Sequence, residues 1–344
     1  MPIGRPATGA RLSCRLSGGV GFFGRLIVSR DNHVTGREAK VNQGHHISQD
    51  NRKPPTEERK RLSRRNFLAA GAAGLGTAIL ATKAATSAEP ANESAPAGLD
   101  FPLVDFHVHL DNSTIDKVLE LSRERGVMFG VVEHAGTKEN EYPTVLSNDA
   151  ELQGYLAMLA GKPVYRGVQA EWIDWAGCFS PEALAQLDYV LTDTMTFPGK
   201  DGRRVKLWSA DVESRVEMAD RQAFMDRYVD WHVEIIEKQP IDVLGNTSWL
   251  PRPLADDYEA FWTPERIRRV VDAAVKHEVA LEISSGFRLP KPYFLKIAKA
   301  AGCRFVFGSN GRYPKMGLLD YSVQTAGELG LTKADLFTPA PDDR

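Results

Sequence analysis

The chain has 344 residues, and its 43 Lys and Arg side chains nearly balance its 45 Asp and Glu side chains. The balance hides two unlike parts, because residues 1–88 carry 15 basic and 5 acidic side chains, whereas residues 89–344 carry 28 and 40. A body with a net charge of -12 offers no electrostatic surface for a phosphate backbone, which argues against nucleic-acid binding. We expect a linker at 89–101 and one α/β domain at 102–344.

The composition of the first 88 residues is typical of a leader segment. Residues 1–60 show no sustained apolar period and are rich in polar residues, so we expect them to be disordered or to precede the true start codon. A basic cluster with twin arginines at 59–65 is followed by an Ala- and Gly-rich run, Asn66–Thr82, that is too short and too rich in glycine for a good membrane span. Residues 61–88 thus resemble a twin-arginine export signal. The resemblance implies export of the folded protein by the twin-arginine machinery to the periplasm or medium, and no integral membrane protein after cleavage.

Short apolar strands alternate with amphipathic helices seven times in the body of the chain. The predicted strands are Leu103–His107, Met128–Val132, Val164–Val168, Tyr189–Asp193, Asp242–Leu244, Ala280–Ile283 and Arg304–Phe307. A helix is predicted over 114–125 with Gly126 as its stop, and helix starts are predicted at Ser180-Pro181-Glu182 and Thr263-Pro264-Glu265. Strict βα alternation predicts a parallel α/β barrel, whose chemistry gathers at the carboxyl ends of the strands.

Three of the five histidines after residue 88 lie at predicted strand ends. His107 and His109 are two positions apart, so they share one face of the first strand. His134 follows the second strand and Glu171 the third, which predicts a site for a divalent metal at this end of the barrel. The alternative is a set of hydrogen-bonded structural histidines. The remaining two lie in predicted helices and are interpreted as packing or surface residues: His232 and His277.

The segment Pro102–Met316 resembles the PHP (polymerase and histidinol phosphatase) family of metal-dependent hydrolases. The resemblance depends on the motif Asp105-Phe106-His107-Val108-His109, on His134 and on Glu171. It implies a distorted (β/α)7 barrel in which a metal activates water. At three later places the family supplies a His, a His and an Asp-x-His. This chain has other residues there: Met195, Asn246 and Asn310-Gly311-Arg312.

The resemblance also implies the ligand set. His107, His109, Glu171 and His134 are the predicted metal ligands, with the amide oxygen of Asn310 or a water completing the shell. Because half of the usual ligands are replaced, we expect fewer than three ions. Three possibilities for the metal content stay open: a mononuclear site, a site rebuilt from other residues, and no bound metal. Imidazole and oxygen donors suit Zn, Mn and Fe about equally.

The same strand-end positions also supply the candidate catalytic and substrate-binding residues. His134, Glu171 and Arg312 are the catalytic candidates, with His134 as a second-metal ligand or a general acid or base. Arg312 replaces a metal-binding His, and its guanidinium can pair with a phosphate or carboxylate of a small-molecule substrate, as can that of Arg203. The alternative for Arg312 is a surface ion pair.

Two further features concern the substrate. Trp172, near a strand end, can stack on a sugar face or line a pocket, and with Asn246 it completes the predicted substrate-binding set. The connection Thr196–Ser214 is long for a βα loop and is predicted to form a lid, with a surface excursion as the alternative.

Three functions are compatible with the sequence. The first is an exported PHP-like hydrolase that cleaves a phosphoester or a related bond with metal-activated water. The second is a non-catalytic barrel of this type that binds a small anionic or sugar-like ligand. The third is an amidohydrolase-type hydrolase, which also opens with His-x-His but needs eight βα units and a later carboxylate or lysine ligand.

Overall fold

The computed structural model describes residues 99–339. The predicted extension and export signal, residues 1–88, therefore lie outside the described residues. The strands are β1 (Val104–His109), β2 (Met128–Ala135), β3 (Val145–Leu146), β4 (Val164–Ala170), β5 (Tyr189–Thr192), β6 (Thr196–Pro198), β7 (Arg204–Lys206), β8 (Val243–Leu244), β9 (Ala280–Ser284), β10 (Phe305–Gly308) and β11 (Gly311–Arg312). Each of the seven predicted strands overlaps one of them, which confirms the predicted pattern.

Seven of these strands close into a parallel barrel. Their order is β1, β2, β4, β5, β8, β9 and β10, and β10 pairs with β1 to close the ring. Two short strands extend the sheet at the carboxyl end, where β3 pairs with β2 and β11 pairs with β1. The remaining two, β6 and β7, form an antiparallel hairpin after β5. The predicted α/β barrel with seven parallel strands is confirmed.

Helices cover the outside of the barrel. They are α1 (Ile115–Arg125), α2 (Asp149–Leu159), α3 (Pro181–Leu184), α4 (Val212–Arg215), α5 (Arg221–Lys238), α6 (Arg252–Ala255), α7 (Tyr258–Phe261), α8 (Pro264–Lys276), α9 (Pro292–Ala300) and α10 (Asp320–Leu329). The predicted end signals are confirmed: Thr114, Ser180 and Thr263 are N-caps, and Gly126 ends α1 with a left-handed φ of 62°.

One extra residue in β1 sets the direction of its side chains. Asp105 pairs with Phe129 and Val108 pairs with Val131, so three steps along β1 match two steps along β2. This β-bulge reverses the alternation of side chains. Phe106 points into the barrel, and His107 beyond it points inward as well, whereas Val108 packs in the outer layer between barrel and helices.

The amino end of the barrel interior is apolar. Its core residues are Phe106, Val132, Tyr189, Leu191, Val243, Ala280, Val306 and Phe337. Tyr189 crosses this interior, and its hydroxyl donates to the carbonyl oxygen of Phe106 at the bulge over 2.8 Å. A Cβ at Gly130 or Gly167 would collide with the Tyr189 side chain, so these two glycines provide its space. The opposite end of the interior, at the carboxyl ends of the strands, is polar and is called the mouth below.

Candidate metal centre

Three side chains converge at the mouth. One ligand atom each of His109, Asp111 and His134 lies within 4.8 Å of the others, and we call these residues the triad. Both imidazoles are buried. Among the described residues, no hydrogen bond of normal geometry reaches either ring nitrogen of His109, Nε2 of His134 or Oδ1 of Asp111, although the Asn310 side chain lies close enough to raise the pKa of His109 in opposition to burial. Buried polar atoms are rarely left without partners, so this arrangement fits a ligand that the triad would hold.

The orientation of His134 is fixed by Glu171. His134 Nδ1 lies 2.8 Å from Oε1 of Glu171. The other ring nitrogen, Nε2, is therefore the one left to act as a ligand atom of the triad. A carboxylate behind a ring nitrogen is the usual support for a metal-binding histidine, because it fixes the tautomer and the ring plane. Tyr142 also donates to Glu171, over 3.4 Å to Oε2. In this arrangement Glu171 contacts the predicted ligand His134 rather than joining the triad.

Asp111 is held by Arg312. Arg312 Nε donates to Oδ2 of Asp111 over 2.8 Å, and Oδ1 is the oxygen without a partner. Arg312 Nη1 also donates to the carbonyl oxygen and to Oδ1 of Asn310, over 3.2 and 3.1 Å. The guanidinium is part-exposed, so it lies at the outer edge of the triad with access to solvent.

His107 belongs to a separate network deeper in the barrel. Its Nδ1 lies 3.1 Å from Oε1 of Glu282, and its Nε2 lies 2.9 Å from Oε1 of Gln169. Both partners are acceptors, so both ring nitrogens donate. Burial opposes the charged form, but Glu282 and Gln169 outweigh it and raise the pKa of His107. A Cβ at Gly308 would collide with the Glu282 carboxylate, so a glycine is required there.

Hydrogen bonds continue this network across the mouth. Gln169 Nε2 donates to Glu171 over 3.1 Å and to Asp193 over 3.3 Å. Asn246 Nδ2 donates to Asp193 over 2.9 Å, and its backbone N–H donates to Glu282. We call His107, Gln169, Asp193, Asn246 and Glu282 the His107 network.

The carboxyl groups around the mouth hold protons unusually firmly. Burial raises the pKa of Glu171 to about 8, against the opposing charge of Lys206. Burial and the nearby Asp111 raise the pKa of Glu133 to about 8, and burial together with Glu171 raises the pKa of Asp193 to about 6. Burial is the largest cause of all three shifts, because removal from water disfavours the charged form of a carboxyl group.

The imidazoles of the triad are shifted the other way. Burial lowers the pKa of His134 to about 3. Burial, and then the neighbouring His107, His134 and Arg312, lower the pKa of His109 well below its usual value. Both rings are therefore neutral near neutral pH, which is the form that binds metals.

Other predicted site residues lie farther out or in the core. Arg203 is at the tip of the β6–β7 hairpin, with a side chain that is 86% exposed beside Asp201. The Trp172 ring packs against Trp231, with the Arg204 guanidinium 5.8 Å from its centroid. Met195 is buried. The catalytic and substrate-binding roles given to these residues stay predictions.

The two helical histidines lie away from the triad. His232 is fully buried in α5, with Nδ1 2.7 Å from the carbonyl oxygen of Tyr228 and Nε2 2.9 Å from Oγ1 of Thr194. It is a packing residue. His277 caps the end of α8, where its Nε2 lies 3.9 Å from the Glu237 carboxylate.

Four polar residues of the mouth were not assigned from sequence: Asp111, Gln169, Asp193 and Glu282. Asp111 continues the inward positions of His109 beyond the strand end, and Glu282 is a carboxylate in the middle of an apolar strand. Asp111 and Glu282 could both have been recognised from the sequence, because a charged residue in or next to a buried strand is rarely found without a partner.

Comparisons with known proteins add little to this geometry. No protein-family model and no curated protein sequence matches the chain. Among solved structures, an HpcH/HpaI aldolase from Desulfitobacterium hafniense aligns at a TM-score of 0.29 and 14% identity, over 67% of this chain and 91% of that one. An HpcH/HpaI aldolase/citrate lyase family protein from Burkholderia cenocepacia has the same TM-score and identity, over 67% and 96%. Similarity at this level says nothing about chemistry.

Within residues 99–339, none of the helices combines the length and the apolar character that a membrane crossing requires.

Proposed function

We propose that this chain is a PHP-like, metal-dependent hydrolase that cleaves a phosphoester or a related bond of a small molecule. The observation that carries the proposal is the convergence of two buried imidazoles and a partly buried carboxylate, each with a ligand atom that has no described partner, at the carboxyl end of a parallel barrel. The seven-stranded ring agrees with the number of βα units that the resemblance implies.

The triad fits a divalent cation. His109, Asp111 and His134 offer two neutral imidazoles and a carboxylate oxygen, a donor set that suits Zn, Mn or Fe. Three protein ligands leave a coordination position for water or substrate, as in catalytic sites. When bound, a divalent cation would polarise a phosphoryl oxygen and lower the pKa of a water molecule.

The protein's own residues supply the rest. Glu171 holds His134 through Nδ1, and Arg312 holds Asp111 through Oδ2, so both ligands are pre-oriented. The part-exposed guanidinium of Arg312 can also pair with an oxyanion of the substrate. Glu133, next to His134 in β2, has an Oε2 without a described partner and a pKa raised to about 8 by burial and by Asp111.

A specific observation favours a second candidate, the non-catalytic barrel. His107, the first ligand that the resemblance implies, has both ring nitrogens engaged by Glu282 and Gln169. In this chain several of the metal-binding residues of the family are replaced, and His107 is held by protein partners. Such a barrel can still bind an anionic small molecule at its mouth. The amidohydrolase alternative has less support, because seven strands close the barrel rather than eight. Export by the twin-arginine route is part of the proposal and depends on the leader sequence alone.

Metal analysis of the purified full chain, followed by a hydrolase screen, tests the proposal. The chain is stripped with a chelator, reloaded separately with Zn, Mn and Fe, and screened with phosphomonoesters, phosphodiesters and sugar phosphates. We expect one ion per chain and hydrolysis that depends on it. Binding without turnover would favour the non-catalytic barrel. Absence of binding for all three metals would contradict the proposal.

A further inference from the structure

The two imidazoles of the triad are shielded from solvent, whereas Asp111 is only partly buried. His109, His134 and Glu171 are all buried, although they lie at the mouth, where a substrate would arrive. A small molecule can reach the two imidazoles only if a covering group moves. The group that covers His134 therefore decides what enters.

Tyr142 is that covering group. Its ring lies face to face with the His134 imidazole, with 3.5 Å between centroids and 5° between planes. The Lys206 ammonium lies 4.0 Å from the same ring centroid. Because the imidazole fills one face of the tyrosine ring, the ammonium lies over the other face. Tyr142 is thus clamped between an imidazole of the triad and a cation.

The clamp joins two segments that are far apart in the chain. Tyr142 lies in the loop between β2 and β3, whereas Lys206 and Arg204 belong to β7 of the hairpin. Lys206 Nζ donates to the carbonyl oxygen of Asn140 over 2.8 Å. Arg204 Nη1 donates to Oδ1 of Asn140 over 2.7 Å and to Oγ1 of Thr137 over 3.0 Å. Two cations of the hairpin therefore hold the loop down over the site.

We propose that Tyr142 is the gate residue of the triad and that Lys206 and Arg204 form its latch. The inference rests on the proposed function for the identity of the gated site. The connection 196–214 was predicted to form a lid. In this proposal the hairpin of that connection holds the gate closed, and the loop that carries Tyr142 is the part that moves. A closed gate keeps water away from the triad until substrate displaces the ring, and lids of this kind commonly set the rate of entry and release.

Histidine labelling of the metal-free full chain tests the gate without relying on metal or turnover. Diethyl pyrocarbonate modifies accessible neutral imidazoles, and peptide mass spectrometry gives the rate at each histidine. Lys206→Met with Arg204→Met should raise labelling of His134 about tenfold, as expected when charge-assisted hydrogen bonds of the closed state are lost. Tyr142→Ala should raise it at least as much, while Tyr142→Phe, which keeps the ring, should stay near the wild-type rate.

Two references make the result decisive. Lys200→Met removes a cation elsewhere on the hairpin, near Ser214 and Glu217, and should leave labelling unchanged. His232 is buried in the core and should stay unlabelled in every variant. Unchanged His134 labelling in the latch variant would overturn the proposal, and so would a parallel rise at His232, which would show general loosening. A hydrolase screen that fails while His134 labelling rises would overturn the proposed function and leave the gate intact.

Discussion

Two groups of side chains share the barrel mouth and differ in how well they are satisfied. In the His107 network, both ring nitrogens of the central imidazole have protein acceptors. In the triad, both nitrogens of His109 lack a described partner. Only two positions of one strand separate these histidines, and both are fully buried, so burial alone does not explain the difference.

The difference separates a structural role from a binding role. A buried imidazole between two acceptors is complete without a ligand, and its pKa is raised by Glu282 and Gln169 despite burial. A buried imidazole without acceptors is costly unless something else binds it. Glu282 supplies His107 with a fixed partner, whereas the ring nitrogens of His109 have no acceptor of this kind.

The largest expected effect is on the triad. His109→Ala with His134→Ala should abolish binding of any divalent cation, because only one of three ligands is left. His277→Ala removes a histidine outside the mouth and should leave metal content unchanged. Elemental analysis of the dialysed full chain measures both, and equal metal content in the two variants would remove the triad from consideration.

The next effect is on the His107 network. Glu282→Ala should lower the free energy of unfolding by roughly 3–5 kcal/mol, because it leaves a buried positive imidazole without its partner. Urea denaturation provides the measurement. Glu282→Gln keeps an acceptor for His107 and should cost less. A loss below about 1 kcal/mol in Glu282→Ala would show that the network is not ionic.

His232, outside both groups, gives a pH reference. Burial lowers its pKa from 6.5 to about 4, against a hydrogen bond to Tyr228. As the pH falls, the unfolded chain therefore takes up the His232 proton at a higher pH than the folded chain does. The free energy of unfolding keeps its full value above the usual histidine pKa and decreases as the pH falls from there to about 4. The loss reaches about 3 kcal/mol. His232→Gln should flatten the pH dependence of unfolding over that window, and identical slopes would contradict the neutral core histidine.

A smaller effect is expected at the contact between the two groups. Glu171→Gln should weaken metal binding roughly 10- to 100-fold, because the carboxylate that orients His134 becomes an amide. Glu217→Gln, which changes an exposed carboxylate near Lys200 of the hairpin, is the matched control. Titration calorimetry with Zn or Mn gives both affinities. If Glu171→Gln binds as tightly as the unchanged chain, His134 does not depend on Glu171.

The smallest effect concerns the edge of the triad. Arg312→Ala should weaken binding of inorganic phosphate or a sugar phosphate about tenfold while metal remains bound, since the part-exposed guanidinium is screened by solvent. Arg268→Ala removes an exposed arginine of α8, which was assigned no role in binding, and should change nothing. Equal phosphate affinity in Arg312→Ala and the unchanged chain would leave Arg312 with only its ion pair to Asp111.

The sequence was informative about the barrel because each strand is a short apolar run between clear helix caps such as Thr114 and Thr263. It was also informative about which strand ends are polar. It could not predict the division of the mouth into two groups. That division depends on Glu282, which reaches His107 from a strand 175 positions away in the chain. Side-chain pairing at such separation depends on tertiary geometry, which local periodicity does not contain.

The extra residue in β1 has a consequence for any attempt to transplant this mouth. With Val104 and Phe106 facing inward, a regular strand would turn His107 and His109 toward the helices. A donor motif copied into an unbulged strand would therefore carry its imidazoles to the wrong side. The graft must include the additional residue, the Tyr189 hydroxyl that satisfies its carbonyl, and the glycines at 130 and 167 that admit the Tyr189 ring. The smallest set of residues that can be transplanted with the mouth thus extends into the apolar end of the barrel interior.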